Sequence, residues 1–532
     1  MKMVGFSLEI SQRAYARQKA SLESCSVEAT TFSTVTQQKK KSGKTMLGRS
    51  QTREWWRGVF VLLLVLLPAV VQAEDQPNML ILLGDDINRS SLGPWGGQAL
   101  TPHLNQLAAD GLRLDNVYAN VAMCAPFRQE FFSGRSAWRT RAMPNHAHSV
   151  AGTRSLPHFL RPLGYQVGLL GKKHIGPREC YPFDNLGDLP KTKDGNAQAV
   201  TASRTYIRQA AQEGKPFCLV VASHDGHGPY TTGDRSQYPT AALKLPADAI
   251  DTPEYRRELQ AHLAEVTNLD ALLGQLRAVL EAEGVAKNTL VLFCSEQGNA
   301  LPFSKWTCFD DGLASGVVVS LPGVIAPGTE SEAMTWIADL APTLLAMAGG
   351  DPREETFDGK SQWQNWTGGE TEVHRYAFSA FSNCNIIDNQ QRVYPIRAVR
   401  DRRYSLIWSP RHADEITSNT TLTRALSRLQ HQGSGKPKNL ADSWVAKWQA
   451  EKSERPEQSE RLELLVHRLH HRPEWALYDR LSDPDELVNL VERPDHQQEY
   501  ARLKKALVNW LADWKDSDPV ATEKDFLKPA AH

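Results

Sequence analysis

Apolar residues fall along this chain in short unbroken runs, separated by longer amphipathic stretches. Met79-Leu80-Ile81-Leu82-Leu83 is apolar on both faces and ends in Gly84-Asp85-Asp86, the pattern of a buried central strand. Residues 167–170, 217–222, 290–294 and 317–321 repeat it, and a strand is expected over 112–118. Between them the spacing predicts helices. Thr101-Pro102 opens one, with Leu104, Leu107 and Ala108 on one face and Gly111 as its stop. Others are expected near 156–163, 197–212, 253–283 and 336–348. Strand alternating with helix predicts an α/β sheet covered on both faces. Polar clusters follow four of the strands, after Leu83, Leu170, Ala222 and Cys294, and open α/β sheets place their ligands at that edge.

Beyond residue 372 the texture changes. Strands at 376–381, 396–399, 404–408 and 475–478, with helices near 444–452, 460–470 and 499–514, predict a smaller α+β domain built on an antiparallel sheet. The expected divisions are 74–372 and 373–532. The first half of the second is dense in arginine: Arg392, Arg397, Arg400, Arg402 and Arg403.

The start of the chain reads differently again. Residues 1–45 are polar and carry no apolar period. Residues 59–67 are an apolar run, preceded by Arg49, Arg53 and Arg57 and closed by Val71-Gln72-Ala73. That is the make-up of a secretory signal peptide, with a core too short to span a bilayer comfortably. A signal at 46–73 puts the expected start at Met46 and makes 1–45 an untranslated or disordered leader. The protein is then periplasmic or secreted, with no membrane span after cleavage.

Length and charge narrow the picture. The 532 residues carry 61 basic and 61 acidic side chains. Residues 1–73 hold 11 of the basic and 4 of the acidic ones, so the body is mildly acidic, at 50 against 57. That argues against a nucleic-acid partner, and an anionic substrate must be met by local cations. Seven cysteines form no evident disulfide framework and no Cys-x-x-Cys metal pair. Cys218 and Cys294 sit in apolar runs and read as core; a Cys180–Cys308 bridge is one pairing that an exported protein would allow.

The chemistry gathers around Cys124-Ala125-Pro126-Phe127-Arg128. Proline suits the first turn of a helix, so Cys124 is expected at a helix N-terminus, where N–H groups favour an anion, with Arg128 reaching back one turn later. Asp85-Asp86 and Glu296-Gln297 offer hard oxygen donors that suit Ca²⁺ or Mg²⁺ rather than zinc.

Cys124, Pro126 and Arg128 fit the Cys-x-Pro-x-Arg pattern at which sulfatases oxidise a cysteine to formylglycine, and the chain resembles that family. The usual serine after proline is Phe127 here. Asp85, Asp86, Glu296 and Gln297 match the family's cation site, where Asp followed by Asn or His stands at the last two positions. Lys172 and His174 match its Gly-Lys-x-His, His227 its second strand-end histidine, and Lys305 the basic residue after the cation site. The stretches 172–184, 394–397 and 475–484 most resemble the sulfamidase branch, the N-sulfoglucosamine sulfohydrolases, whereas 295–312 resembles it less.

The resemblance implies an alkaline-phosphatase-like fold, a mixed central sheet between helices. It also implies one Ca²⁺ per chain, held by Asp85, Asp86, residue 124, Glu296 and Gln297, and conversion of Cys124 by a formylglycine-generating or anaerobic maturation enzyme. Hydrated formylglycine, favoured in its alkoxide form by the cation and Arg128, would attack sulfur while Lys172, Lys305 and the cation hold sulfate oxygens. His227 would protonate the leaving group, and His174 would take the proton that lets the aldehyde reform. In sulfatases the second domain borders the pocket mouth, so Arg397, Arg400, Arg402 and Arg403 are expected to meet an anionic glycan. The N-sulfate of glucosamine in heparin- or heparan-type glycans is the first choice of substrate, and an O-sulfate on another polysaccharide the second. Two other readings stay open: a phosphomonoester or phosphodiester hydrolase of the same fold, and a non-catalytic glycan-binding relative.

Overall fold

The computed structural model describes residues 76–382 (250 and 252 apart), 386–387, 390–391, 393–414, 416 and 459–526. The leader, the signal segment, Arg392, Cys384 and the helix expected near 444–452 lie outside these residues.

Eight strands form the main sheet: β1 Asn78–Leu83, β2 Leu112–Leu114, β3 Gln166–Gly171, β4 Asp184–Asn185, β5 Phe217–Ala222, β6 Thr289–Cys294, β7 Val317–Ser320 and β8 Thr329–Ser331. Their order is β4-β3-β5-β1-β6-β7-β2-β8. Strands β3, β5, β1 and β6 run parallel, and β7 is antiparallel to β6 and β2, so the sheet is mixed. The continuous apolar run of β1 has its reason in this order. Met79, Ile81 and Leu83 pack into the core on one face of the sheet, and Leu80 and Leu82 into the core on the other. A strand between two layers needs apolar groups on both sides of the pleat.

One layer contains α1 Pro102–Ala109, α3 Gly195–Gln212 and α4 Pro253–Ala282, through side chains such as Leu104, Tyr206 and Leu269. The other contains α2 Cys124–Ser133 and α5 Leu340–Met347, through Phe127, Phe131, Leu340 and Leu344. Every residue of α2 is buried. Prolines divide two of the expected helices. Residues 161–163, which include Pro162, form a 3₁₀ turn, and 337–339 form another just before α5, which carries Pro342 in its first turn. The strand expected over 112–118 is also divided: residues 112–114 join the main sheet, while Val117 and Tyr118 pair with Thr335 and Trp336.

The C-terminal part is a four-stranded antiparallel sheet, β9 Ala377–Ser382, β10 Pro395–Arg400, β11 Tyr404–Trp408 and β12 Trp475–Asp479. The helices α6 Ser459–His470, α7 Gln497–Asp513 and α8 Pro519–Phe526 accompany it. Leu503, Leu507, Trp510 and Leu511 of α7 are buried, and the Trp510 ring stacks on Phe378 of β9 with centroids 5.1 Å apart. No helix among the described residues is long and apolar enough to cross a membrane.

Candidate active site

Register creates the site. Leu83 pairs with Ala222 on one side and Cys294 on the other, and Gly171 pairs with Ala222. Four strands therefore end side by side, and the polar residues that follow each of them converge. Backbone bonds hold the exits together: Lys172 N donates to Ala222 O, Asp85 N to Asp225 O, and Gly84 N to Cys294 O, at 2.9, 3.2 and 2.9 Å.

Cys124 occupies the first turn of α2, behind an extended N-cap at Met123. The Arg128 side chain, one turn on, is fully buried. Its Nη1 donates to the Lys172 carbonyl at 2.7 Å, its Nε pairs with Glu296, and its Nη2 lies 4.0 Å from Asp85. Burial pushes the Cys124 thiol up, against the pull of Lys172 and Lys305, so an unmodified cysteine here stays protonated. Phe127 points into the apolar core and is fully buried. Its departure from serine therefore lies on the packing side of α2.

Three carboxylates face three cations. Lys172 Nζ donates to Asp85 Oδ2 at 2.5 Å, and Lys305 Nζ to Asp86 Oδ2 at 2.7 Å. Burial alone would raise the Asp85 carboxyl, but Lys172 and Arg128 outweigh it and hold Asp85 well below the usual carboxylate range. Glu296 moves the other way: burial pushes it up in spite of Arg128. Both lysines gain from their carboxylates more than burial takes away, so both stay charged.

His227 is half-buried. Its Nδ1 bonds the Gly228 carbonyl at 2.7 Å, which places a proton on Nδ1, and its Nε2 lies 3.7 Å from Asp86. Asp86 draws this imidazole up, but burial with Lys305 and Lys172 carries it below its ordinary value. For His174, burial with Lys172, His146 and Arg128 beside it pushes the ring down to about 2, so it is neutral. Its Nε2 is 2.7 Å from His146 Nδ1. His146 and Asn145, whose Oδ1 lies 3.8 Å from Cys124 Sγ, are site residues that sequence reasoning missed. The tract Asn145-His146-Ala147-His148 was their only signal, and no strand end or helical period marks it. Asp86, His146, His174, Phe303 and Trp306 all adopt left-handed backbone, with φ between 50° and 68°. Non-glycine residues are held there only by surrounding structure, and such residues gather at working sites.

The donor set fits a hard divalent cation. One ligand atom from each of Asp85, Asp86, Cys124 and Glu296 lies within 4.8 Å of the others. Among the described residues, the buried Asp85 Oδ1, Glu296 Oε2 and Gln297 Oε1 have no hydrogen-bond partner, whereas Gln297 Nε2 donates to Asp86 Oδ1 at 2.5 Å. Buried acceptors left open in this way need positive charge.

The family model described as Sulfatase matches residues 77–350. The chain belongs to the sulfatase family. An ulvan-active sulfatase of Formosa agariphila is 27% identical over 449 residues, covering 82% of this chain and 80% of that protein. Human N-sulphoglucosamine sulphohydrolase is 26% identical over 506 residues, covering 83% and 91%. A structure solved with its substrate D-glucosamine-2-N,6-O-disulfate superposes with a TM-score of 0.60 at 16% identity, covering 84% of this chain and 99% of that one, a likeness of fold. This sulfatase is thus a hydrolase of sulfate esters or sulfamates on an alkaline-phosphatase-like fold.

Two expectations fail in the structure. Arg397 and Arg400 do not meet solvent: both side chains are fully buried. Arg397 Nε pairs with Asp516 at 2.6 Å and its Nη1 with Glu523 at 3.3 Å; Arg400 pairs with Asp310 at 3.1 Å and donates to the Cys308 carbonyl. The antiparallel sheet is buried on both faces of β10, so its arginines are structural cations. Arg402 and Arg403 are exposed, and both are already paired, with Glu332 and Asp479. Cys180 and Cys308 are both buried free thiols, so no bridge joins them.

Proposed function

We propose that this sulfatase removes sulfate from a sulfated saccharide, acting on the N-sulfate of glucosamine in heparin- or heparan-type glycans. The observation that carries the reading is the placement of Cys124 at the N-terminus of a buried helix, inside a ring of three cations and three carboxylates. The sulfamidase relative, matched over nine-tenths of its length, supports the choice of N-sulfate.

Oxidised to formylglycine, residue 124 supplies a hydrated aldehyde, one hydroxyl to attack sulfur and a second that lets the carbonyl reform. A divalent cation, Ca²⁺ by the oxygen donors, would be held by Asp85, Asp86, Glu296 and Gln297 beside residue 124 and would supply positive charge against the sulfate. Lys172 and Lys305 turn from their carboxylates to the sulfate oxygens, as preorganised donors in a dry site. Arg128 holds Glu296 and Asp85 in place. His227, its Nδ1 committed to Gly228, presents Nε2 to the leaving nitrogen or oxygen and serves as the acid in its doubly protonated form. The mature enzyme begins after the signal segment and works in the periplasm or outside the cell.

The test is a panel of defined N- and O-sulfated sugars, together with the intact mass of the peptide containing residue 124. Free glucosamine released from N-sulfoglucosamine supports the first choice. Cleavage confined to O-sulfated sugars supports the second reading, which the ulvan-active relative favours. Faster turnover of nitrophenyl phosphate than of nitrophenyl sulfate would overturn both.

A further inference from the structure

His146 has no part in the roles assigned above, yet it is the residue His174 touches. The His146 Nδ1 to His174 Nε2 distance is 2.7 Å, and the two rings face each other with centroids 4.5 Å apart. Both residues stand in left-handed backbone, His146 at φ 65° and His174 at φ 50°. The loop of His146 also reaches the nucleophile position. Asn145 Nδ2 lies 3.4 Å from His146 Nε2, and Asn145 Oδ1 lies 3.8 Å from Cys124 Sγ.

A line of side chains therefore runs from residue 124 through Asn145 and His146 to His174. The His174 ring has one nitrogen tied to His146. The other, Nδ1, is buried and has no hydrogen-bond partner among the described residues. A buried ring nitrogen without a partner is rare in a finished structure, and at a pocket it marks the atom that a bound group will meet.

We propose that His146 is a positioning residue for sulfate hydrolysis: its hydrogen bond to Nε2 fixes the plane of the His174 ring, so that Nδ1 alone faces the reacting groups. The imidazole of His174 can rotate about two side-chain bonds, and in water either nitrogen could turn inward. Tying Nε2 from the outside removes that freedom before substrate arrives. The bond also couples the protonation of the two rings, because only one of the facing nitrogens can carry the proton between them. The left-handed φ at residue 146 brings its ring back over His174. Asparagine tolerates that conformation, and its amide can stand in for Nδ1.

This inference rests on the reading of His174 as a participant in the reaction. The experiment measures kcat and KM on a small aryl sulfate for the full enzyme, His146→Gly, His146→Asn, His174→Ala and the double variant His146→Gly/His174→Ala. Glycine keeps the φ, and the His146 side chain is exposed, so the fold should stand, as a melting curve checks. A fall in kcat of about 10- to 100-fold is expected for His146→Gly, within the range of a positioned acid–base group, with KM within about threefold. Recovery to within about threefold of wild type is expected for His146→Asn. The double variant should be no slower than His174→Ala, because the effect of His146 passes through His174. Multiplying effects in the double variant, with His174→Ala itself impaired, would overturn the positioning role and leave His174 in place. Full activity of His174→Ala would overturn both.

Discussion

Arg397 Nε and Asp516 Oδ2 are 2.6 Å apart, with both side chains sealed from solvent. The pair ties the second strand of the C-terminal sheet to the turn between α7 and α8, and Glu523 of α8 joins it from the other side of the guanidinium. The Arg397 guanidinium also lies over the Trp138 ring, 5.0 Å from its centroid. Removing one member of a buried pair leaves the other charge uncompensated, at a cost of about 3–5 kcal/mol. Arg397→Ala is therefore expected to lower Tm sharply. KM for a glycan and for an aryl sulfate should change equally in whatever enzyme remains folded. A selective rise in KM for the glycan would show that Arg397 reaches substrate.

Glu523 makes stability depend on pH. Burial pushes its carboxyl up to about 8, although Arg397 pulls it down. The folded chain thus binds this proton more tightly than the unfolded chain, whose carboxyl titrates near 4.5. The contribution is fully present below about pH 4.5 and is lost as pH rises through about 8. Urea denaturation from pH 5 to 9 should show the wild type losing stability relative to Glu523→Gln, on the order of a few kcal/mol across the range. Parallel curves would show that Glu523 titrates normally.

Chelation tests the carboxylate cluster. Asp85, Asp86 and Glu296 are fully buried and close together, so dialysis against a chelator should abolish turnover and lower Tm. Ca²⁺ should restore both at one ion per chain. Two zinc ions per chain by elemental analysis would contradict the oxygen-donor argument.

Residue 124 tests the nucleophile. Cys124→Ala should leave the melting curve within a few degrees of wild type and remove turnover, because a small buried side chain is lost while the reacting group disappears. Activity within tenfold of wild type would end the case for chemistry at this position. Phe127→Ser makes the opposite prediction. It restores the common maturation pattern but empties a packed core position, at about 3–5 kcal/mol by analogy with Phe→Ala.

Lys305 should act on rate more than on fold. It is the partner of Asp86 and sits within a loop between Phe303 and Trp306, both in left-handed backbone. Lys305→Ala is expected to lower kcat by about 10²–10³-fold, the usual cost of losing one preorganised donor. A change confined to KM would place Lys305 in substrate binding instead.

Much of this protein is decided by local pattern. Runs such as Met79–Leu83 can be satisfied only between two apolar layers, so the central strands, their helices and the polar strand ends are legible in the sequence. The spacing of Cys124, Pro126 and Arg128 likewise puts thiol and guanidinium one helical turn apart, whatever surrounds them. Register, by contrast, depends on which strands become neighbours, and that is a property of the folded chain. Only the pairing of Leu83 with Ala222 and Cys294, and of Gly171 with Ala222, brings Asp85, Lys172, His227 and Glu296 to one place. The arginines of β10 show the same limit from the other side. Charge along a strand looks like a surface, but Arg397 and Arg400 find Asp516, Glu523 and Asp310, residues far away in the sequence, and are buried by them. His146 has no local pattern to announce it. Its role follows from a contact with His174 across 28 residues of chain, and a contact of that kind exists only once the tertiary structure has formed.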